Sequence, residues 1–225
     1  MTQEEIKSNL EAVRERIAQA CLRVGRSPEE ITLIAVTKTV DPAIMETAFN
    51  LGIRNFGENR VQEAERKINA LSHLRPQPVW HMIGHLQSNK VKTALKLFDI
   101  IQSVDSLELA GHINRAASPN RPVLLQVNVA GETTKSGFSL SEIKSALSSI
   151  SRLHTLDVRG LMTIAPAAEN VEEVRPVFRK LKELRDSFGL EHLSMGMTED
   201  FEIAIEEGAT MIRVGRALFG KRRPV

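Results

Sequence analysis

The sequence predicts a single (β/α)8 barrel of the TIM type with an extra helix before it. Eight short apolar runs alternate with helical segments, and this alternation implies parallel strands joined by helical crossovers. The runs are also continuous, as in VLLQVNV at 123–129, which is typical of strands buried on both faces. The length of 225 residues lies within the range of this barrel. We therefore expect one barrel domain over 1–225, in which 1–25 is the extra N-terminal helix.

The first expected element is an amphipathic helix over residues 2–24. Apolar residues recur at helical spacing from Ile6 to Val24. Thr2 and Glu5 have the spacing of a capping box, and Gly25 is placed to end the helix. The sequence leaves open whether this helix covers one end of the barrel or packs against a neighbouring molecule.

The remaining elements alternate regularly. Asp41 followed by Pro42 is typical of a helix start, and Ser139 with Glu142 predicts a second capping box. The expected strands span 32–37, 55–56, 79–83, 100–104, 123–129, 158–164, 192–195 and 211–214. The expected helices lie near 42–51, 58–71, 86–97, 106–117, 140–151, 170–187 and 199–207, with a short helical turn at 216–219.

An open, doubly wound sheet is the alternative arrangement for such a pattern. That fold is expected to carry a glycine-rich phosphate fingerprint in its first strand-to-helix turn. The corresponding turn here, at 37–40, reads TKTV and contains no glycine. The closed barrel is therefore the better prediction.

Composition and charge argue against several classes of function. A formal charge of +2 on 225 residues gives no electrostatic basis for binding nucleic acid, and we interpret the basic tail at 221–223 as solvated surface. No run is apolar enough to span a membrane, and the charged N-terminus is unlike a signal peptide. The single cysteine, Cys21, has no internal disulfide partner, which favours a reducing, cytoplasmic location.

Lys38 is the residue most suited to chemistry. It follows the first expected strand at its C-terminal end, where barrels of this type place their active sites. Burial there lowers the pKa of an ammonium group, and a neutral amine can attack an aldehyde to form a Schiff base. A lysine that merely extends from the barrel end into solvent is the alternative.

The ends of the last two expected strands predict a phosphate site. In such barrels the loops after strands seven and eight frequently bind phosphate together with a helix N-terminus. Hydroxyl groups and closely approaching backbone amides could surround a phosphate dianion there. The residues that would supply them are Ser194, Gly196 and Thr198 after strand seven, and Gly215 and Arg216 after strand eight.

Arg213 is expected inside the barrel. It lies two residues before Gly215, so its side chain points to the same side of the strand. An unpaired guanidinium there would be very unfavourable and needs a ring nitrogen or an acid as a partner. A lysine, a phosphate cup and an arginine between them are the arrangement expected for pyridoxal 5′-phosphate (PLP). The sequence therefore predicts PLP as a cofactor.

Seven stretches then carry a resemblance to a known family. They read AVTKTV, NFGENRVQE, WHMIGHLQSNK, VNVAGETTKSGF, GLMTI, LSMGMTEDF and IRVGRALFG, in this order. Together they resemble the pyridoxal phosphate homeostasis protein family, whose fold is related to the barrel domain of bacterial alanine racemase. The resemblance covers nearly the whole chain after residue 31.

This resemblance implies a PLP-bearing barrel and a set of site residues. The residues implied are Lys38, Asn59, Ser194, Gly196, Thr198, Arg213, Gly215 and Arg216. Lys38 would form the Schiff base, Arg213 would meet the pyridine nitrogen, Asn59 would lie beside the cofactor, and the others would hold the phosphate. The implied role is vitamin B6 and amino- or keto-acid homeostasis, with amino or keto acids and PLP-accepting apoenzymes as further partners.

The sequence favours a PLP carrier over an enzyme. The alternative is a small PLP-dependent amino-acid racemase, which needs a proton acceptor on each face of its substrate. The racemases that this barrel resembles take a tyrosine from a second domain, whereas this chain contains no tyrosine and is expected to have no such domain. An arginine at the pyridine nitrogen would also make the cofactor a weaker electron sink. The sequence does not decide whether Lys38 also supports a residual catalytic reaction.

A metal site is not expected. His81 and His85 are four residues apart, but the strand and Gly84 do not give the helical geometry that this spacing requires, and no third ligand accompanies them. The loop at 131–137 lacks the spacing of a phosphate-binding P-loop. We interpret it as a rim over the pocket, in which Lys135 is a second amine near the site.

Overall fold

Eight parallel strands form a closed barrel. The computed structural model describes residues 1–220, so the basic tail at 221–223 lies outside the described residues. Consecutive strands pair with each other, and the eighth pairs with the first to close the sheet. The strands are β1 Thr32–Val36, β2 Asn55–Glu58, β3 Val79–Met82, β4 Ile100–Val104, β5 Arg121–Gln126, β6 Leu156–Met162, β7 His192–Ser194 and β8 Met211–Val214. The predicted (β/α)8 barrel is confirmed.

Helices connect the strands and surround the barrel. They are α1 Gln3–Arg23, α2 Pro42–Asn50, α3 Val61–Ala70, α4 Val91–Leu97, α5 Leu107–Ala116, α6 Ile143–Ile150, α7 Arg175–Phe188, α8 Phe201–Glu206 and α9 Arg216–Phe219. Short 3-10 turns at Pro28–Glu30, Ser88–Lys90 and Val171–Val174 precede β1, α4 and α7. None of these helices in residues 1–220 is long and apolar enough to cross a membrane.

The local sequence signals act as expected at the helix ends. Thr2 and Glu5 form a reciprocal capping box at the start of α1. The carboxylate of Asp41 accepts a hydrogen bond from the amide of Ala43, and Pro42 occupies the first position of α2. Ser139 and Glu142 exchange the two bonds of a capping box before α6. These side chains satisfy amides that have no partner within the helix.

Within residues 1–220, buried apolar side chains pack in two separate clusters. The larger cluster lies between the sheet and the surrounding helices and includes the buried face of α1. The smaller cluster consists of Ile34, Leu124, Met162 and Met211. Ile34 on β1 and Leu124 on β5 can meet only through the barrel interior, because their strands are not neighbours in the sheet. This small interior layer leaves room for polar side chains above and beside it.

Element boundaries differ from the prediction in several places. The sequence predicts a helix from about 58, but Glu58 continues β2 and pairs in register with Met82, so α3 begins at Val61. Strand β5 begins at Arg121 and ends at Gln126, earlier than the expected 123–129. Helix α4 is shorter than the expected 86–97, because its first turn is a 3-10 turn.

Helix α1 packs against its own barrel. It lies against α2, α8 and α9, and its residues Ile6, Leu10, Val13 and Ile17 are buried there. Polar contacts also fix its position: Asn9 donates to the carbonyl of Leu218 over 3.0 Å, Arg16 forms an ion pair of 2.7 Å with Glu202, and Arg23 forms one of 2.6 Å with Glu206. The first helix is therefore joined to the segments that follow β7 and β8.

Candidate functional site

A pocket of about 660 Å³ opens at the C-terminal ends of the strands. This volume suits a small-molecule ligand. Of the residues predicted to bind a cofactor, Lys38, Thr198, Arg213, Gly215 and Arg216 line it. Much of the remaining wall is apolar and is formed by the segment after β6, from Ile164 to Val174, and by Met197. The strand-end geometry of the barrel thus brings residues from distant parts of the chain into one cavity.

Lys38 is half-buried and follows β1 in a tight turn. The amide of Val40 donates to the carbonyl of Thr37 over 2.9 Å and closes this turn. Thr39 occupies the left-handed region with φ of 65°, which is unusual for a β-branched residue. The turn directs the lysine towards the pocket that its side chain lines.

Arg213 is almost completely buried at the base of the pocket. One terminal nitrogen donates to the hydroxyl of Ser194 over 2.6 Å, and the other donates to the carbonyl of Thr163 over 2.7 Å. Burial lowers the pKa of Arg213 to about 10, which leaves the guanidinium charged at neutral pH. Arg213 points into the barrel, where its hydrogen-bond partners are a hydroxyl and a carbonyl, and the carboxylate of Asp200 adds a favourable electrostatic interaction.

Ser194 continues this contact into a chain of hydrogen bonds across the barrel interior. Its hydroxyl donates to Oε1 of Gln102 over 2.6 Å. The side-chain amide nitrogen of Gln102 lies 2.9 Å from Nδ1 of His81 and donates to it. Because Nδ1 accepts this bond, the proton of the neutral imidazole is on Nε2. The Nε2 group lies 3.0 Å from Oδ1 of Asn55 and donates to it.

Burial keeps His81 neutral within this chain, because it lowers the pKa of the imidazole to about 4. Gln102 is a candidate that the sequence analysis does not name, and His81 is considered there only in connection with a metal site. Their only signal was the position of a polar side chain within an otherwise apolar strand.

The phosphate cup predicted after β7 and β8 contains two close backbone approaches. Gly196 has φ of 88°, and a Cβ there would lie 2.5 Å from Cβ of Ala204. A Cβ on Gly215 would lie 3.2 Å from the carbonyl oxygen of Val36. Thr198 supplies a half-buried hydroxyl, and the first turn of α9 leaves its leading amides without partners inside the helix. Only glycine fits Gly196 without displacing its neighbours.

Ser194 and Asn59 do not line this pocket, whereas Arg216 lines it at the mouth. Ser194 is fully buried and its hydroxyl is engaged by Arg213 and Gln102. The side chain of Arg216 is exposed at the pocket mouth and forms an ion pair of 3.0 Å with Glu199. Asn59 lines a neighbouring depression of about 690 Å³ together with Arg60, Arg66, His85 and Lys90. The cofactor roles of all three stay predictions.

The helix α1 also supports the cup from outside. Arg16 donates to the carbonyl of Thr198 over 3.4 Å, and its guanidinium lies 4.4 Å from the ring centre of Phe201. Cation–π contacts of this kind are favourable. The loop between β7 and α8 is therefore held both by the barrel and by the first helix.

Lys135 lines the pocket, as the sequence analysis expected for a second amine near the site. Its ammonium group donates to the carbonyl of Ala165 over 2.9 Å and to Glu132 over 2.7 Å. His81 bonds Asn55, and His85 pairs with Asp105 over 3.0 Å. Among residues 1–220 no group of three or more His, Cys, Asp or Glu side chains is placed to hold a metal ion.

Comparison with known proteins identifies the family. Residues 5–223 match the family model of the alanine racemase N-terminal domain. The pyridoxal phosphate homeostasis protein of Aquifex aeolicus is 46% identical over 223 residues, which cover 95% of this chain and 97% of that protein. The pyridoxal phosphate homeostasis protein of Escherichia coli K12 is 39% identical over 231 residues, which cover 97% of each chain.

Solved structures agree with this assignment. PipY of Synechococcus elongatus without PLP superposes with a TM-score of 0.80 at 40% identity, covering 92% of this chain and 99% of PipY. The PLP-bound form of PipY gives 0.79 at 39% identity, covering 92% of this chain and all of PipY. Alanine racemase of Corynebacterium glutamicum shares the fold, with a TM-score of 0.70 at 18% identity over 97% of this chain and 61% of the racemase. With full-length relatives and a matching barrel, this chain belongs to the pyridoxal phosphate homeostasis protein family, within the larger family of the alanine racemase N-terminal domain.

Proposed function

We propose that this chain binds PLP in the pocket above the barrel, holds it through Lys38 as a Schiff base, and acts as a carrier in vitamin B6 homeostasis. The observation that carries the proposal is the meeting of Lys38, Thr198, Arg213, Gly215 and Arg216 in one cavity. The relatives named pyridoxal phosphate homeostasis proteins and the PLP-bound form of PipY support it.

The residues of the pocket fit a phosphate ester. Thr198 offers a hydroxyl, and the start of α9 offers the backbone amides of Arg216 and Ala217. The close approach of Gly215 to β1 keeps this side of the cavity free of a side chain. Arg216 adds a positive charge at the mouth, where it also pairs with Glu199. We propose that these groups bind the phosphate, with Gly196 shaping the loop that carries Thr198.

Lys38 is proposed to hold the other end of the ligand. Its primary amine condenses with the aldehyde carbon of PLP to form a C=N bond, and one water molecule is released. Lys38 lines the same pocket as Thr198 and Gly215, although it follows β1, near the N-terminus, and they follow β7 and β8. A ligand held at both ends is oriented by the barrel itself.

Arg213 is proposed to face the pyridine nitrogen and so favours a carrier over a catalyst. The guanidinium remains charged, because the pKa of about 10 is well above neutral pH. A cation beside the ring nitrogen disfavours its protonation. The residues present therefore favour binding of the cofactor over withdrawal of electrons into it.

The ligands beyond PLP follow from the same pocket. Lys135 and the apolar segment after β6 lie beside Lys38, so an amino acid or keto acid has both a charged group and an apolar wall to contact. We propose that the amine of an amino acid replaces the amine of Lys38 in the C=N bond and so frees the lysine, that a keto acid binds in the same pocket without this exchange, and that PLP-accepting apoenzymes receive the cofactor. A racemase would require a second proton acceptor, and the chain contains no tyrosine for this role.

The test is the visible absorption spectrum of the purified protein before and after borohydride treatment, followed by peptide mapping. We expect a yellow protein whose reduced pyridoxyl group is on Lys38. A protein that stays colourless with added PLP contradicts the cofactor proposal. Assays with D- and L-alanine then separate the two functions, since robust interconversion of the enantiomers would establish a racemase.

A further inference from the structure

The turn that carries Lys38 contains a strained residue. Thr39 follows Lys38 directly and has φ of 65°. A β-branched side chain in the left-handed region is unfavourable and persists only where neighbouring contacts hold it. The contacts that hold this turn come from outside the ligand pocket.

Two side chains of α3 bind the backbone on either side of Lys38. The ammonium group of Lys67 donates to the carbonyl of Thr37 over 2.6 Å. The amide of Thr39 donates to the carboxylate of Glu63 over 2.6 Å. The peptide groups before and after Lys38 are thus both fixed to the same helix.

Glu58 at the end of β2 completes the arrangement. Lys67 bonds Glu58 over 2.8 Å and Glu63 over 2.7 Å, so its three N–H groups have three acceptors. The hydroxyl of Thr37 donates to the same oxygen of Glu58 over 2.6 Å. We call Glu58, Glu63 and Lys67 the turn clamp.

Burying the charged groups of the turn clamp has an unfavourable desolvation free energy. The side chains of Glu58 and Lys67 are 0% and 6% exposed, and buried ion pairs of this kind frequently stabilise less than apolar side chains of similar size. The second carboxylate oxygen of Glu58 is buried and has no hydrogen-bond partner. Burial raises the pKa of Glu58, whereas the bonds from Lys67 and Thr39 outweigh burial and lower that of Glu63. The clamp does more than pack α3 against the barrel. Its charged groups fix the orientation of the two peptide groups that flank Lys38.

We infer that the turn clamp positions Lys38 for attachment to the aldehyde, although none of its three residues lines the ligand pocket. Glu58, Glu63 and Lys67 are therefore positioning residues rather than catalytic ones. The inference rests on the proposed function of Lys38. It extends that function by assigning to α3 the control of covalent attachment, separately from the phosphate cup after β7 and β8.

The experiment compares two ligands that differ at one carbon. PLP has the aldehyde, whereas pyridoxine 5′-phosphate keeps the ring and phosphate but has an alcohol in its place. In Glu63→Ala we expect affinity for PLP to fall roughly tenfold, as for loss of one directed hydrogen bond. Affinity for pyridoxine 5′-phosphate should change by less than about twofold, since the cup is untouched.

Matched variants separate positioning from folding. Glu63→Gln keeps an oxygen that can accept from Thr39, so it should bind PLP more tightly than Glu63→Ala. Thr39→Gly removes the steric cost of the positive φ. Combined with Glu63→Ala in a double variant, it should restore part of the affinity for PLP that Glu63→Ala alone loses. Glu65→Ala, on the exposed side of α3, is the control and should behave as the wild type. Glu58→Gln leaves Lys67 paired with Glu63, so this variant tests the buried part without leaving an uncompensated charge.

A measurement on the cofactor-free protein keeps the outcome independent of PLP. Amide hydrogen exchange at Thr39 should accelerate by at least roughly tenfold in Glu63→Ala, and acetylation of Lys38 relative to Lys7 should change with it. The inference would be overturned if Glu63→Ala left amide exchange at Thr39 and acetylation of Lys38 unchanged. It would also be overturned if this variant lost equal affinity for PLP and for pyridoxine 5′-phosphate. If wild-type protein forms no adduct at Lys38 while its acetylation still depends on Glu63, the proposed function fails and the clamp stands.

Discussion

Arg213 donates a hydrogen bond of 2.6 Å to the hydroxyl of Ser194, and this contact sets the direction of every bond behind it. A guanidinium can only donate. The oxygen of Ser194 therefore accepts from Arg213, and its hydroxyl donates a hydrogen bond to Gln102. The amide of Gln102 is then oriented with its nitrogen towards His81. A single cation at the base of the pocket thus determines the tautomer of a histidine on the far side of the barrel.

Arg213→Gln should weaken retention of PLP without removing the Schiff base. The variant loses a charge-assisted contact with the ring, which is worth about 1.5–3 kcal/mol, or roughly 10- to 100-fold in affinity. Equilibrium dialysis of the purified variant measures this change. Ser194→Ala is a comparison variant: it removes the hydroxyl that orients Arg213 but keeps the guanidinium, so its loss should be smaller. Disappearance of all cofactor absorbance in Arg213→Gln would instead place the arginine on the phosphate.

Lys38→Ala should remove the borohydride-fixed adduct and leave the fold intact. The side chain lies at the lip of the barrel and is half-buried, so the free energy of unfolding should change by no more than about 1 kcal/mol. Urea denaturation of the cofactor-free protein and mass spectrometry after reduction measure the two effects. A variant that is unfolded without cofactor would show that Lys38 has a structural role.

Acid should destabilise the protein partly through His81. The pKa of His81 is about 4 in the folded chain against 6.5 ordinarily. The unfolded chain therefore binds the proton first as pH falls, and stability is lost from about pH 6.5 downwards to pH 4. Between pH 7 and pH 5 the loss from this group should be about 2 kcal/mol. In His81→Gln this part of the pH dependence should be absent, as urea denaturation at both pH values would show.

Gly196→Ala should be more destabilising than Gly189→Ala. Both glycines have positive φ, but an added Cβ at Gly189 meets nothing within 4 Å, whereas at Gly196 it lies 2.5 Å from Cβ of Ala204. The conformational part should be about 1 kcal/mol in each variant, and the overlap at Gly196 should add about 1–3 kcal/mol. Chemical denaturation gives both values, and equal losses would show that the loop after β7 can move aside.

The barrel and the location of its pocket could be predicted from the sequence. Alternation of apolar runs and helices fixes the order of strands, and period-two spacing places Arg213 on the interior face of β8. The end of each strand then identifies Lys38, Thr198 and Gly215 as neighbours in space, although they are up to 177 positions apart in the chain.

The partners inside the barrel could not be predicted in the same way. Period-two spacing gives the face of a strand but not the side chain that is met across the interior, so the bond between Ser194 and Gln102, 92 positions apart, carries no local signal. The sequence also predicts Glu58 in a helix, whereas Glu58 ends β2, and the reason is similar. A glutamate before a helical segment is ordinarily a helix-start residue, and only Lys67 on α3 shows why it is retained at the end of a buried strand.

The closure of β1 onto β8, and of α1 onto α8 and α9, joins the earliest and latest parts of the chain. A ribosome delivers Lys38 long before Arg213 and Gly215. A growing chain therefore has the amine of Lys38 before it has the guanidinium of Arg213 or the cup around Gly215. We expect retention of PLP to begin only when β8 and α9 have emerged and docked, so that the cofactor marks molecules whose synthesis and folding have passed that point.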